Sequence, residues 1–165
     1  MSTDRKDRAA VERRLRDEIE THRTGMLGVT GGAAHHTQPM TAFAEPGTSQ
    51  IWFFTRTDTD LAREVAEGKS AMFVFQQKDF QACIGGKLTR RLDPVRVDKY
   101  WNAVVAAWYP GGKADPNLTM LRLDCDDAQV WISQGGPIRF VWEIAKANAT
   151  NTTPDVGGST RLSFQ

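Results

Sequence analysis

Seven short apolar or half-apolar segments constrain the fold of this chain more than any other feature. Their aromatic and β-branched residues favour pleated, half-buried strands, and turn residues separate most of the segments. The strands are predicted at residues 26–31, 38–44, 50–55, 70–76, 81–91, 118–125 and 128–133. This spacing predicts a closed antiparallel sheet, which has no exposed edges to protect.

Helical periodicity accompanies these strands. In the N-terminal segment, residues 1–24, the apolar residues Val11, Leu15 and Ile19 recur every fourth position and predict a helix that covers an apolar surface. Further helices are predicted at residues 61–65, 93–109 and 138–145, the second with Val97, Trp101, Val104 and Trp108 on one stripe. Residues 148–165 have little to bury and are predicted to form a loose polar arm, unless a partner orders them. The whole chain, 1–165, is predicted to be one domain.

Composition narrows the classes of function. The chain has 165 residues, of which 40% are hydrophobic and 25% charged, as in an ordinary globular protein. A net charge of +1 argues against a nucleic-acid protein that relies on broad phosphate attraction. The N-terminus has no signal-peptide pattern and no apolar run reaches membrane-spanning length, so a cytoplasmic protein without membrane association is predicted. The expected partner is a small molecule or another protein.

Familiar catalytic and metal-binding motifs are missing. Gly85-Gly86-Lys87 and Gly111-Gly112-Lys113 are not P-loops, and the chain has no GxGxxG or GxSxG motif. His35 and His36 would point to opposite faces of an extended segment, so no metal site is predicted. Cys83 and Cys125 form no ligand cluster and are expected to be small buried hydrophobes. No catalytic set of side chains is predicted.

Two glycine and aspartate clusters predict local backbone features. Paired Gly85-Gly86 inside a predicted strand indicates a bulge, a sharp bend or the close approach of another backbone or ligand. The run Asp124-Cys125-Asp126-Asp127 predicts a tight turn stabilised by Asx hydrogen bonds.

The segment from Ile51 to Asp60 changes abruptly from strand-forming aromatics to hydroxyls, an Arg and a helix start. A phosphate bound there would meet the hydroxyls of Thr55, Thr57 and Thr59, the charge of Arg56 and the amides of a helix N-terminus. Alternatively, Thr57 or Asp58 simply caps the helix, and the segment taken alone favours this second interpretation.

A second unusual segment runs from Trp108 to Lys113. It places a Trp and a Tyr at the end of a predicted helix, beside a Gly-rich loop and a cation. Aromatic residues in such a setting offer a surface for a flat ligand or a second subunit.

Four segments together resemble the FMN-binding split-barrel proteins related to pyridoxamine 5′-phosphate oxidase, in particular the general stress protein branch. Gln38-Pro39-Met40-Thr41 is similar to the family's Arg-Pro-Met strand, and Ile51-Trp52-Phe53-Phe54-Thr55 to its aromatic strand before the phosphate site. Ala82–Leu88 and Trp108–Lys113 with Asp115-Pro116 resemble two further family segments, and both are specific to this branch.

This resemblance implies a mainly β protein with flanking helices, built as a six-stranded antiparallel split β-barrel. It also implies a homodimer that binds FMN at the subunit interface and acts as an oxidoreductase. By position, the backbone of Pro39, Met40 and Thr41 would face the isoalloxazine ring. The predicted cofactor-binding residues are Gln38, Pro39, Met40, Thr41, Phe54, Thr55, Arg56, Thr57, Thr59, Gln76, Gln77, Lys78 and Trp108. Phe54 and the three Thr residues would surround the ribityl phosphate. The run Gln76-Gln77-Lys78 would lie near the ring or the phosphate. Trp108 of the second subunit would close the cleft.

The chain departs from the family pattern at two positions. Gln38 stands where the family usually has Arg, and Leu61 where many relatives have a phosphate-binding Lys. Each lost charge-assisted hydrogen bond is worth about 1.5 to 3 kcal/mol, unless Arg56, Lys78 or a helix dipole compensates. Three interpretations follow: an oxidoreductase that takes electrons from NAD(P)H or a small redox substrate, a non-catalytic flavin-binding stress protein, or a dimerisation module without a ligand. Pyridoxamine-phosphate oxidase activity is not expected, because counterparts of the basic and histidine residues that hold that substrate are missing.

Overall fold

The structure is a computed structural model that describes residues 2–31, 36–133, 135–155 and 157–164. The helices in these ranges are α1 (Ser2–His22), α2 (Asp60–Glu64), α3 (Pro94–Tyr100), α4 (Ala103–Ala106) and α5 (Gly136–Thr150), with a 3₁₀ turn at Gly112–Ala114. The strands are β1 (Thr24–Val29), β2 (Gln38–Thr41), β3 (Phe43–Ala44), β4 (Gln50–Arg56), β5 (Lys69–Gln77), β6 (Phe80–Arg90), β7 (Leu118–Ser133) and β8 (Gly157–Ser163).

All eight strands belong to one antiparallel sheet in the described residues. Its order is β2-β1-β5-β6-β7-β4-β3, and β8 pairs with β7 outside this path. The two ends of the path, β2 and β3, are separated in sequence only by Ala42, whose N–H donates to the carbonyl of Arg23 at 2.7 Å. The sheet therefore curls until its ends meet. This confirms the predicted split barrel with flanking helices, with eight strands instead of six.

Strand β7 changes neighbours half-way along its length. Residues 118–124 pair with β4, and residues 127–133 pair with β8. Between them the register against β6 shifts, because Gly85 pairs with Asp127 while Gly86 pairs with Cys125, which leaves Asp126 as the extra residue. Of the alternatives predicted for Gly85-Gly86, the structure shows a bulge, whose extra residue lies on β7. The predicted turn at residues 124–127 is wrong, since these residues form the bulged middle of one continuous strand.

Apolar side chains pack on both faces of the sheet near β4. Phe53 points into the barrel, where it joins a core closed at one side by Leu15 and Ile19 of α1, as the sequence predicts. The alternating neighbours Trp52 and Phe54 point outward into a second cluster beneath α3 and α4. This second cluster fixes the two short helices against the outer face of β4, and the helices form one wall of the cleft described below.

A charged cluster centred on Glu45 holds α3 in place. The Tyr100 hydroxyl donates to Glu45 Oε2, Lys99 Nζ donates to Oε1 at 3.0 Å, and Arg96 Nε lies 3.6 Å from Oε2. Burial alone would raise the pKa of Glu45, but these hydrogen bonds and the charges of Lys99 and Arg96 hold it below its ordinary value. The Arg96 guanidinium also stacks 4.6 Å from the Trp52 ring, which ties the helix to β4.

The long helix predicted at residues 93–109 is divided into two. Asp93 caps α3 by accepting from the Arg96 N–H at 3.1 Å, as its sequence pattern indicates. The helix ends because Trp101 is extended, and Asn102 then accepts from the Val105 N–H at 2.9 Å and starts α4. The predicted single stripe is therefore wrong. Val104 and Trp108 are exposed, at 70% and 71%.

The C-terminal residues also differ from the sequence-based expectation. Residues 148–150 continue α5, and residues 157–163 form β8 instead of a loose arm. Backbone hydrogen bonds to β7 order this polar segment without requiring apolar side chains, and only Leu162 is buried. No helix in the described ranges combines the length and apolarity needed to cross a bilayer.

Candidate functional site

An open cleft of about 540 Å³ lies outside the barrel, between β2, β3 and β4 on one side and α4 on the other. Its size is within the range of small-molecule sites, and aromatic and aliphatic groups dominate its lining. The lining residues are Arg23, Thr24, Gln38, Pro39, Met40, Thr41, Phe43, Phe54, Thr55, Arg56, Thr59, Asn102, Val104, Val105, Trp108 and Tyr109.

The cleft brings together nine of the thirteen residues predicted to bind a cofactor. They are Gln38, Pro39, Met40, Thr41, Phe54, Thr55, Arg56, Thr59 and Trp108. Thr57 is outside the lining, with its N–H bonded to the Asn117 carbonyl at 2.9 Å. Gln76, Gln77 and Lys78 are also outside it, because β5 carries them to the turn into β6, two strands away from β2.

Strand β2 offers backbone groups to this cleft. It is the first strand of the sheet order and pairs with β1 along one side, through Thr41 with Thr24 and Met40 with Gly25. An edge strand directs about half of its N–H and C=O groups away from its only partner. Because Gln38, Pro39, Met40 and Thr41 line the cleft, these unpaired backbone groups can reach a planar heterocycle bound there.

The hydroxyl cluster lies at the end of β4. Thr59 caps α2: its hydroxyl accepts from the Ala62 N–H at 3.2 Å and donates to the Arg56 carbonyl at 3.0 Å. The buried Thr55 hydroxyl lies 3.4 Å from it. The cap is therefore Thr59, instead of Thr57 or Asp58. Since α2 has only five residues, its dipole adds little to anion binding.

Arg56 brings little uncompensated charge to the cleft. Its Nε and Nη2 atoms donate to the two carboxylate oxygens of Asp58 at 3.0 and 2.9 Å. The same hydrogen bonds lower the pKa of Asp58 and raise that of Arg56. Leu61 is buried in the barrel core, so its side chain serves packing and does not reach a ligand.

Sequence analysis missed several lining residues, of which Arg23 matters most. Arg23 follows α1 with a positive φ of 60°, and its guanidinium lies 5.0 Å from the centre of the Phe43 ring. Nothing local indicates this role, because an Arg at the end of a charged helix is ordinary. Only the pairing of Thr24 with Thr41 brings Arg23 to the cleft.

The described lining contains few groups suited to acid–base catalysis. Its titratable side chains are Arg23, Arg56 and Tyr109. Burial raises the pKa of Tyr109 to about 12, so this phenol is neutral near pH 7. In the described part of the chain, no three His, Cys, Asp or Glu side chains are grouped so that they could hold a metal ion. His35 lies outside the described residues, and His36 is exposed.

Trp108 lines the cleft of its own chain. The sequence-based expectation placed Trp108 over the cleft of a second subunit. Because α4 packs on the outer face of β4 through Val105, the residues that follow it reach the cleft of their own chain. Closure of the cleft by Trp108 of a second subunit stays a prediction. The exposed indole is free to lie against a ligand there.

Comparison with known proteins identifies the family of this fold and cleft. Residues 10–155 match the model of the "Pyridoxamine 5'-phosphate oxidase like" family. The chain belongs to the pyridoxamine 5′-phosphate oxidase-like family. No curated protein matches it significantly.

Solved structures include members with substantial sequence identity. The crystal structure described as general stress protein 26 from Jannaschia sp. CCS1 is 34% identical, covers 94% of this chain and 99% of its own, and has a TM-score of 0.78. The general stress FMN/FAD binding protein from Xanthomonas citri is 42% identical over 75% of this chain and 89% of its own, with a TM-score of 0.69. The general stress protein 26 from Bacillus anthracis is 18% identical over 70% of this chain and 92% of its own, with a TM-score of 0.60, and shows the fold alone.

Proposed function

We propose that this protein binds FMN in the cleft beside β2 and acts as a flavin-dependent oxidoreductase. The observation that carries the proposal is the convergence of an edge-strand backbone, an aromatic floor and two Thr hydroxyls in one cleft of about 540 Å³. The 42% identity to a protein named for FMN/FAD binding supports it. The flavin would supply the electron-transfer chemistry, and the protein would bind and orient it.

The polar and apolar groups of the lining match the chemical groups of a flavin. The free backbone edge of β2, at Pro39–Thr41, suits the alternating donors and acceptors of the isoalloxazine ring. The hydroxyls of Thr55 and Thr59, at the far end of β4, suit the ribityl phosphate. Phe54 precedes Thr55 on β4 and offers an apolar surface to the ring.

A homodimer is part of the proposal, because an exposed apolar surface adjoins the cleft. On the outer face of the sheet, Pro39 pairs with Met26, and Met26 pairs with Val74 on the next strand. Met26, Val74 and the neighbouring Met72 are all exposed although they are large and apolar. A second copy packed on this surface would bury it and would extend the wall of the cleft at Pro39.

A non-catalytic flavin-binding protein is the second candidate. It is supported by the scarcity of titratable groups in the described lining, which leaves no clear acid or base for a substrate. The two functions differ only in turnover. Both predict a yellow protein, and only the first predicts reduction of the bound flavin by a physiological electron donor.

Flavin binding is tested by loading the purified protein with FMN, removing free flavin by gel filtration and recording the absorption spectrum. A matched pair of variants locates the site: Val104 lines the cleft and Val95 does not, although they are 70% and 74% exposed. V104D places a carboxylate beside the cofactor and is expected to weaken FMN binding, whereas V95D is not. A colourless wild-type protein, or equal losses in both variants, would refute the site.

Turnover and assembly need separate measurements. Anaerobic bleaching of the bound flavin by NADPH or NADH supports the oxidoreductase, and a flavin that stays oxidised supports the binding protein. Light scattering gives the oligomeric state. V74D is expected to convert the dimer to a monomer, and a monomeric wild-type protein would refute the dimer.

A further inference from the structure

The cleft carries an asymmetric distribution of charge. Of its described lining residues only Arg23 and Arg56 are charged, and Arg56 is already paired with Asp58. Among the described residues, Arg23 forms no ion pair within 4.0 Å. The guanidinium instead lies over the Phe43 ring at 5.0 Å. The net positive charge of the cleft is therefore that of Arg23.

The backbone fixes Arg23 at one end of the cleft. Its N–H donates to the Ile19 carbonyl at 2.8 Å, and its own carbonyl accepts from Ala42 at 2.7 Å. Phe43, beneath its guanidinium, pairs with Trp52 of β4. Thr55 lies three residues further along that strand, which corresponds to about 10 Å. Arg23 is thus beside the Pro39–Thr41 end, and its Phe43 contact lies about three strand residues away from the hydroxyl cluster.

Other charged groups near Arg23 do not cancel its charge. Tyr100 packs against Phe43 with ring centroids 4.9 Å apart and is neutral, since burial raises its pKa. Glu45, behind Tyr100, is already bonded to Tyr100 and Lys99. A negative charge that develops on a ligand next to β2 would therefore interact with an unpaired guanidinium.

We infer that Arg23 is a positioning and charge-stabilising residue for the reduced flavin, and that it raises the reduction potential of the bound cofactor. This inference rests on the proposed FMN site. When a hydride donor such as a reduced nicotinamide reacts, its C–H bond breaks and an N–H bond forms on the flavin ring. This transfer would supply two electrons and one proton and would leave one negative charge, which the Arg23 guanidinium would stabilise at the Pro39–Thr41 end.

The test is a redox titration of the FMN-loaded protein against a reference dye, with wild type, R23Q and R23K. R23Q is expected to weaken the binding of reduced relative to oxidised FMN about tenfold, which lowers the two-electron potential by about 30 mV. R23K keeps the charge and is expected to retain most of the wild-type potential. Arg91 is exposed and outside the cleft, so R91Q controls for net charge and is expected to leave the potential unchanged.

A second measurement needs no variant. If Arg23 keeps the reduced ring anionic, the wild-type potential falls by about 30 mV per pH unit between about pH 5 and 6.5, as one proton per two electrons requires. A slope near 60 mV would overturn the inference. An R23Q protein that binds FMN with the wild-type potential would also overturn the inference. An R23Q protein that loses affinity for FMN but not for riboflavin would overturn it too, because Arg23 would then bind the phosphate. A wild-type protein that binds no flavin would overturn both the proposed function and this inference. The other results overturn the inference alone, so failure of the FMN site and failure of the role of Arg23 are distinguished.

Discussion

The bulge between β6 and β7 gives the sharpest quantitative prediction, through Gly86→Ala. A Cβ atom at Gly86 would lie 2.1 Å from the carbonyl oxygen of Asp124 and 3.0 Å from the Cα of Cys125. Since Cβ contacts under 3.0 Å essentially do not occur, the two strands would have to separate by at least 0.9 Å, which is 3.0 minus 2.1. Both obstacles are backbone atoms in the middle of the sheet and cannot rotate away.

The energetic cost follows from this separation. A ladder hydrogen bond stretched by 0.9 Å exceeds the usual limit, so one or two such bonds are lost at about 0.5 to 1.5 kcal/mol each. Strain from an extra methyl group in a packed region adds about 1 to 3 kcal/mol. The variant is therefore expected to lose about 1.5 to 6 kcal/mol of unfolding free energy.

Gly85→Ala is the matched control. A Cβ at Gly85 would meet the Asp127 side chain at 3.0 Å, and that carboxylate can rotate, so a loss under about 1 kcal/mol is expected. Both variants are compared with wild type by urea unfolding followed by far-UV circular dichroism. Equal stabilities of the Gly85 and Gly86 variants, or a Gly86 variant within about 0.5 kcal/mol of wild type, would contradict the argument.

Three further predictions concern the cleft and its support. Thr55→Val removes a hydroxyl whose one side-chain hydrogen bond within the described residues is the 3.4 Å approach to Thr59. It is expected to weaken FMN binding about tenfold and to leave riboflavin binding and dimer stability nearly unchanged. A fluorescence titration in which both flavins weaken equally would disprove this. Because the folded-state pKa of Glu45 is lowered, its contribution to stability is present above the unfolded value near 4.5 and is lost as the pH falls through the folded value. Urea unfolding from pH 7 down to pH 3 should therefore show wild type converging on Glu45→Gln, and a constant difference would rule this out. Trp108→Ala removes an exposed indole from the lining, so it should abolish part of the quenching of tryptophan fluorescence by FMN without changing the melting temperature. If the variant shows the full quenching of wild type, Trp108 lies away from the ligand.

Strand positions could be predicted from the sequence because their signal is local. The predicted strands at 50–55, 70–76 and 81–91 agree with β4, β5 and β6 to within one residue at each end. Alternation of buried and exposed side chains along a strand needs no knowledge of its neighbours. The same holds for the Asp93 cap, whose partner is three residues away.

Prediction failed where a distant partner decides the local structure. The residues next to Asp126 in the sequence are typical of a turn. However, the Asp126 carbonyl accepts from the Phe164 N–H at 2.9 Å, and pairing with β8 keeps the strand extended there. Polar residues 157–163 were expected to be loose because their side chains have little to bury. Their order comes from backbone hydrogen bonds to β7, which side-chain composition does not encode.

The candidate site shows the same division. The order of residues along the chain by itself determined an aromatic strand followed by hydroxyls, and a Gln-Pro-Met-Thr strand that resembles a cofactor-binding segment. Only the tertiary structure decided that these two segments face one cleft, that Arg56 is neutralised by Asp58, and that Arg23 supplies the unpaired charge. The physical reason is that strand type depends on residues next to one another, whereas the electrostatics of a cleft depend on groups that the closure of the sheet brings together.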